Sequence, residues 1–326
     1  MGEFELLARV RERLPPAGPR VRVGMGDDAA VTVPGGATAT SVDAIVEGVH
    51  FRREHADLAQ IGHKALATAL SDLAAMGAEP GEAYVVIGVP PGLSEDECME
   101  TIDGIAALAE STGTTLAGGD VTRAPALSLT MTVVGHAPRP EMLVTRAGAK
   151  PGDALVLTGE IGGAAAGLLL LEQPELSDAM GEGTAERLRA RQLEPRPRLA
   201  AGWALARAGA TAMIDLSDGL GADAGHLAER SGVGIRIDAS AVPLANGVAE
   251  VTAAAGLDPL PTAVTGGEDY ELLAALPAEG LTEAASAAGE ARTTLTVVGE
   301  VVDGEGVEIR LPGGRLLEPG GYDQLS

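Results

Sequence analysis

The stretch Val21-Arg22-Val23-Gly24-Met25-Gly26-Asp27-Asp28-Ala29-Ala30-Val31-Thr32-Val33 decides the fold. Gly24-x-Gly26-x-x-Ala29 matches the loose dinucleotide fingerprint, which needs a strand, a glycine turn and then a helix. The strand is present at Val21 to Val23. After the turn, however, Val31-Thr32-Val33 runs into Pro34-Gly35-Gly36, with no amphipathic helix. Asp27 and Asp28 would also confront a pyrophosphate directly. The stretch therefore reads as strand, acidic turn and strand, and a doubly wound dinucleotide fold is set aside. Two adjacent carboxylates on such a turn repel each other unless water, protons or a cation intervene. Taken alone, a solvated turn accounts for the pair equally well.

Further along, short acidic nodes recur where strands give way to turns: Ser41-Val42-Asp43, Ser71-Asp72-Leu73, Gly118-Gly119-Asp120 and Asp215-Leu216-Ser217-Asp218-Gly219. Each has a plain reading as a turn or a helix surface. Together they suit hard, oxygen-seeking cations, with magnesium favoured because it shares its ligands with phosphates and water. Asp72 falls late in the helix predicted over Asp57 to Met76, where the macrodipole disfavours a carboxylate. That helix carries an apolar stripe from Leu58 through Ile61, Ala65, Leu66, Ala69 and Leu73, with Gly77 as its cap. A second helix follows the capping box Ser94-Glu95-Asp96-Glu97. Strands are expected at Thr38 to Val42, Ala83 to Val89, Leu127 to Gly135, Ala154 to Thr158, Met213 to Leu216, Gly234 to Ile237 and Glu271 to Ala274. Leu295 to Val302 and Val307 to Leu311 read as a terminal strand pair, Gly118-Gly119-Asp120 as a turn, and Gln173 to about Glu186 as a surface loop. Thr158-Gly159-x-x-Gly162-Gly163 is either a phosphate cradle at a helix start or an ordinary strand-helix turn.

Composition narrows the partners. The chain of 326 residues has 47 acids against 23 bases, a net charge of −24. Its only lysines are Lys64 and Lys150. Such a chain is a poor partner for nucleic acid or an anionic membrane, and it binds phosphate only through cations. No Walker loop, EF-hand or paired-histidine zinc motif is present. Cys98 stands alone, which excludes a disulfide framework. The N-terminus has Glu3 and Glu5 in place of a basic-then-apolar leader, and the longest apolar run, Ile161 to Leu171, is too short to span a bilayer. A cytoplasmic protein is the expectation. The length suits two domains, and the proline-bearing stretch His136 to Lys150 marks the boundary, giving residues 1–137 and 138–326.

Seven strings, in this order, resemble the thiamine-monophosphate kinase family within the aminoimidazole-ribonucleotide-synthetase-like superfamily: Gly26-Asp27-Asp28-Ala29, Val46-Glu47-Gly48-Val49-His50-Phe51, Leu70 to Ala78, Gly118-Gly119-Asp120, Thr145 to Asp153, Ile214 to Leu220 and Gly266 to Leu272. The resemblance implies ATP-dependent phosphorylation of thiamine monophosphate to the diphosphate, with several Mg2+ ions. It implies an α+β, two-domain synthetase-like fold: an N-terminal mixed sheet with helices that binds metal and nucleotide and pairs in a homodimer, and a C-terminal α/β sandwich domain completing the cleft. By matching position it makes Asp28, Asp43, Asp72, Asp120, Asp215 and Asp218 magnesium ligands, with Ser41 and the backbone at Val42 as auxiliaries. Gly119, Asp120, Arg146 and Ser217 become ATP contacts, and His50, Glu268 and Tyr322 contacts to thiamine phosphate; Asp72, Asp120 and Arg146 are the most critical. Where relatives carry an aromatic residue three positions before the last tyrosine, this chain has Pro319, which leaves Tyr322 or Phe51 to pack on the substrate ring. The alternatives are another ATP-dependent synthetase of the superfamily, of the aminoimidazole-ribonucleotide type, or a non-catalytic nucleotide-binding regulator.

Overall fold

A computed structural model describes residues 3–25, 29–181 and 183–322. The chain divides into two compact units, residues 1–73 with 78–140, and residues 74–77 with 141–326.

The first unit runs α1 (Glu3–Arg13), β1 (Val21–Val23), β2 (Val31–Thr32), β3 (Ala37–Val46), α2 (Leu58–Ala75), β4 (Glu79–Val89), α3 (Glu95–Thr112), β5 (Thr115–Arg123) and β6 (Ser128–Ala137). β1 and β2 pair antiparallel, so a strand and not a helix follows Ala29–Ala30; Gly26, Asp27 and Asp28 lie outside the described residues. The other strands form one sheet in the order β3-β6-β4-β5, with β5 the parallel edge. Alternation along β3 and β6 puts Leu129, Met131 and Val133 into the core and leaves the opposite face open. On that open face Val42 is 64% and Val86 41% exposed. Asp57 and Gln60 exchange hydrogen bonds at the start of α2, and Ser94 with Glu97 forms the capping box of α3. The two helices approach closely because a Cβ on Gly62 would lie 1.9 Å from the Thr101 carbonyl, and one on Gly104 1.8 Å from that of Ala59. This contact fixes how α2 presents Asp72.

The second unit runs β7 (Ala154–Thr158), α4 (Gly163–Glu172), α5 (Thr184–Leu193), α6 (Leu199–Arg207), β8 (Ala212–Asp215), α7 (Leu220–Ser231), β9 (Gly234–Asp238), α8 (Val248–Ala254), α9 (Pro259–Thr265), β10 (Leu272–Leu276), α10 (Leu281–Glu290), β11 (Leu295–Val302), β12 (Gly306–Arg310) and β13 (Leu316–Leu317). Its sheet has the order β13-β12-β9-β11-β7-β10-β8. The centre is Leu155, Leu157, Ile214, Leu273 and Ile237, all buried, with Leu220 and Leu227 of α7 packed on them.

Four local expectations are corrected. β11 and β12 do not pair with each other, because β9 inserts between them, antiparallel to β11 and parallel to β12. Gly118-Gly119-Asp120 is no turn; it continues β5, where glycine is needed because a Cβ on Gly119 would sit 2.2 Å from the Val85 carbonyl. β3 passes through Asp43 and does not end there. Gln173 to Glu186 is not all surface loop: α5 begins at Thr184 and buries Ala185, Leu188 and Gln192.

Candidate active site

In the first unit, β3 and α2 bring Ser41, Asp43 and Asp72 together. The Ser41 hydroxyl donates to the Asp72 carboxylate. Asp43 also bonds the Thr68 side chain, one helical turn before Asp72, and accepts from the Ala44 N–H at 3.0 Å. Burial, and then the Asp72 charge, push the Asp43 carboxyl above its ordinary range. The turn after β3 holds His50, whose Nδ1 accepts the Val46 N–H at 3.1 Å. The imidazole proton is thereby assigned to Nε2, which can donate to an anion. Lys64 of α2, itself buried, reaches the His50 carbonyl at 3.4 Å.

Asp120 does not join this group within one copy of the chain. Asp43 stands opposite Met131, Met131 opposite Val85, and Val85 opposite Gly119. Asp120 is therefore one residue off that row, on the other face of the sheet and three strands away. At ~4.8 Å per strand the separation is ~14 Å.

In the second unit, β8 delivers Asp215 to a loop that α7 continues. Asp223, unnoticed in the sequence, accepts the N–H groups of Asp218 and Gly219 at 3.1 and 3.0 Å. Burial, then Asp215, then Asp218 push its carboxyl up to about 8. Two other segments close on this loop. Glu268 N–H donates to the Ser217 carbonyl at 2.8 Å and Tyr270 N–H to that of Leu216 at 2.9 Å. The Tyr322 N–H reaches the Asp218 carbonyl at 2.9 Å. Tyr322 is exposed while Phe51 is buried, so of the two aromatics Tyr322 is the one with a face to offer. Arg146 is exposed, and its carbonyl accepts the Ser231 hydroxyl at 2.9 Å, which pins its loop to the end of α7.

The glycine turn ahead of α4 resolves toward the structural reading. Its Gly162 and Ala164 N–H groups go to the Asp269 carboxylate at 2.6 and 3.0 Å, so a carboxylate occupies the cradle a phosphate would use. Burial pushes Asp269 up to about 7 against the effect of these two bonds.

Among the described residues, no three His, Cys, Asp or Glu side chains stand arranged as a finished metal site. Asp28 lies outside the described residues. The donors at hand are carboxylates, a hydroxyl and main-chain carbonyls, a set that fits magnesium and not zinc. No helix of the described residues is long and apolar enough to cross a membrane.

Comparison with known proteins agrees across both units. Residues 26–137 match the AIR synthase related protein N-terminal domain, and residues 150–312 its C-terminal domain. The thiamine-monophosphate kinase of Salmonella typhimurium (strain LT2) is 39% identical over 303 residues, 92% of this chain and 90% of the relative. The crystal structure of thiamine-monophosphate kinase from Stenotrophomonas maltophilia K279a is similar with a TM-score of 0.82 at 35% identity, covering 98% of this chain and 96% of that one. A structure described as AaThiL complexed with AMPPCP and TMP is similar with a TM-score of 0.77 at 30% identity, covering 87% and 86%.

Proposed function

Since this chain belongs to the thiamine-monophosphate kinase family, we propose that it transfers the terminal phosphoryl group of ATP to thiamine monophosphate, giving thiamine diphosphate. The observation that carries the reading is a pair of acidic clusters, Asp43 with Asp72 in the first unit and Asp215, Asp218 and Asp223 in the second. In each, the charge pressing hardest on a raised carboxyl is another carboxylate. Such clusters are expensive unless they hold cations, and a kinase for two phosphate anions needs cations.

Ser41, Asp43, Asp72 and Asp120, the backbone at Val42, and Asp215 and Asp218 are the residues we assign to magnesium, together with Asp28. Bound magnesium would neutralise the repulsion between donor and acceptor phosphates. The acceptor is already an oxyanion at neutral pH, so none of these side chains has to act as a strong base. In this reading Arg146 and Ser217 hold ATP oxygens, with Gly119 and Asp120 contacting the nucleotide. His50 Nε2 donates to the thiamine phosphate, and Glu268 and Tyr322 meet the thiamine moiety.

We assign the active species as a homodimer. The open face of the first unit's sheet, with Val42, Thr132, Tyr84 and Val86 in neighbouring rows, is a suitable surface for a second copy. Because Asp43 points to the other face, a partner's Asp120 reaches its cluster only past the β3 edge of the sheet. The lone buried Cys98 and the use of ATP fit a cytoplasmic enzyme.

The test is thiamine diphosphate formation from ATP and thiamine monophosphate with magnesium, and its loss on chelation. Binding of both ligands without turnover would leave a regulator in place of an enzyme.

A further inference from the structure

Ser231, the last residue of α7, uses its whole hydrogen-bonding capacity on one distant loop. Its hydroxyl donates to the Arg146 carbonyl at 2.9 Å. It accepts the N–H groups of Gly148 and Ala149, both at 3.2 Å. A hydroxyl has one proton and two lone pairs, so all three are taken. A serine in a helix ordinarily turns to water or to a carbonyl of its own preceding turn. Here the partners lie 82 to 85 residues earlier in the chain.

The loop is fixed on either side of that point as well. The Met213 N–H of β8 donates to the Thr145 carbonyl at 3.0 Å, and the Thr145 hydroxyl donates to the Ala147 carbonyl at 2.9 Å. Gly148 has φ +128, and a Cβ there would lie 2.4 Å from the Thr211 carbonyl. Arg146 stands between these ties. It is exposed and forms no ion pair among the described residues, so the backbone that carries it sets where its guanidinium reaches. An arginine side chain has many rotamers, and a fixed main chain beneath it removes the loop's share of the disorder. The other end of α7 is tied too: Asp223 accepts the N–H groups of Asp218 and Gly219. One helix of 12 residues, ~18 Å long, thus holds the Asp218 loop at its start and the Arg146 loop at its end.

We propose that Ser231 is a positioning residue for the phosphate clamp: it holds the Arg146 main chain so that the guanidinium meets the ATP phosphates. This rests on the kinase reading and on Arg146 contacting ATP.

The experiment uses the full chain with magnesium, ATP and thiamine monophosphate. Ser231→Ala removes all three bonds and puts a good helix former in place. Its KM for ATP is expected to rise about fivefold, with kcat and KM for thiamine monophosphate within about twofold. Ser231→Thr keeps the hydroxyl, and its KM for ATP is expected to stay within about twofold of the wild type; a rise as large as that of Ser231→Ala overturns the proposal. The deciding protein carries Arg146→Ala and Ser231→Ala together. A residue that acts through Arg146 adds nothing once the guanidinium is gone, so the double variant should match Arg146→Ala in KM for ATP. A further rise of about fivefold in the double variant overturns the proposal, because a merely structural serine adds its effect in both backgrounds. So does a Ser231→Ala protein that melts lower and moves KM for both substrates together. KM for ATP unmoved in Ser231→Ala but raised in Arg146→Ala rejects this inference alone. KM for ATP unmoved in Arg146→Ala rejects the Arg146 assignment and the inference with it; absence of wild-type turnover rejects the kinase reading and the inference with it.

Discussion

Asp43→Asn and Asp120→Asn, each inactive when pure, are expected to rescue one another when mixed. The reasoning starts from the strand registers. Asp43, Met131, Val85 and Gly119 lie in one row across the sheet, so Asp120 is three strands from Asp43, ~14 Å, on the opposite face. Two carboxylates on one magnesium ion lie no more than ~4 Å apart, since each bond is about 2.1 Å. If both acids serve one metal site, a second copy has to supply Asp120. Each variant alone loses a ligand in both sites, and activity should fall at least about a hundredfold. In a hybrid dimer one site carries both lesions and the other carries neither. Random reassortment makes half the dimers hybrids, so the mixture should recover roughly a quarter of wild-type turnover. The assay is thiamine diphosphate formation after dissociation and reassociation, with hybrids verified by a tag on one variant. Verified hybrids without recovery, or full wild-type activity from a sedimenting monomer, would refute the argument.

Two further expectations follow from the buried acids. Asp223 and Asp269, raised to about 8 and about 7, bind protons in the folded state that the unfolded chain, with carboxyls near ~3.9, has already released. Without magnesium, stability should therefore be greatest below pH ~4 from these two groups and be lost as the pH climbs through about 7 and about 8. Asp269→Asn should flatten the lower part of that loss, and magnesium should raise the melting temperature more at pH 8 than at pH 6; an equal rise at both would contradict the metal assignment. Arg198→Met strands Glu271 as a buried charge without its cation, which should cost about 3–5 kcal/mol in urea unfolding; a loss under 1 kcal/mol would mean that Thr158 alone satisfies it.

Much of this was legible in the chain. The stripe of α2 and the capping box of α3 are local signals, and both helices lie where periodicity and capping place them. The absence of a helix after Asp28 was decisive against a dinucleotide fold, and β1 with β2 confirms a strand pair there. What escaped was non-local. The insertion of β9 between β11 and β12 depends on a parallel pairing that no turn chemistry announces. Gly118-Gly119 has the composition of a turn, yet the glycines serve the close approach of β5 to β4. α5 follows a polar stretch, and its seat is cut by glycines twenty residues earlier on another helix. Asp223 did leave a sign: an acid in the first turn of α7, able to satisfy the N–H groups that open a helix.

The acids of this chain separate according to what balances them. Asp269 has the two N–H groups at the start of α4, and Glu271 has Arg198 and Thr158; these hold the fold together with nothing added. The strongest charged neighbours of Asp43 and Asp223 are instead other carboxylates. Two like charges 4 Å apart at an effective dielectric of 20 repel by about 4 kcal/mol, a large fraction of the stability of a domain. In a protein of net charge −24 with two lysines, a structural use for those carboxylates would have been served better by asparagine, which keeps the hydrogen bonds and sheds the charge. The arrangement makes sense when cations arrive with the phosphates.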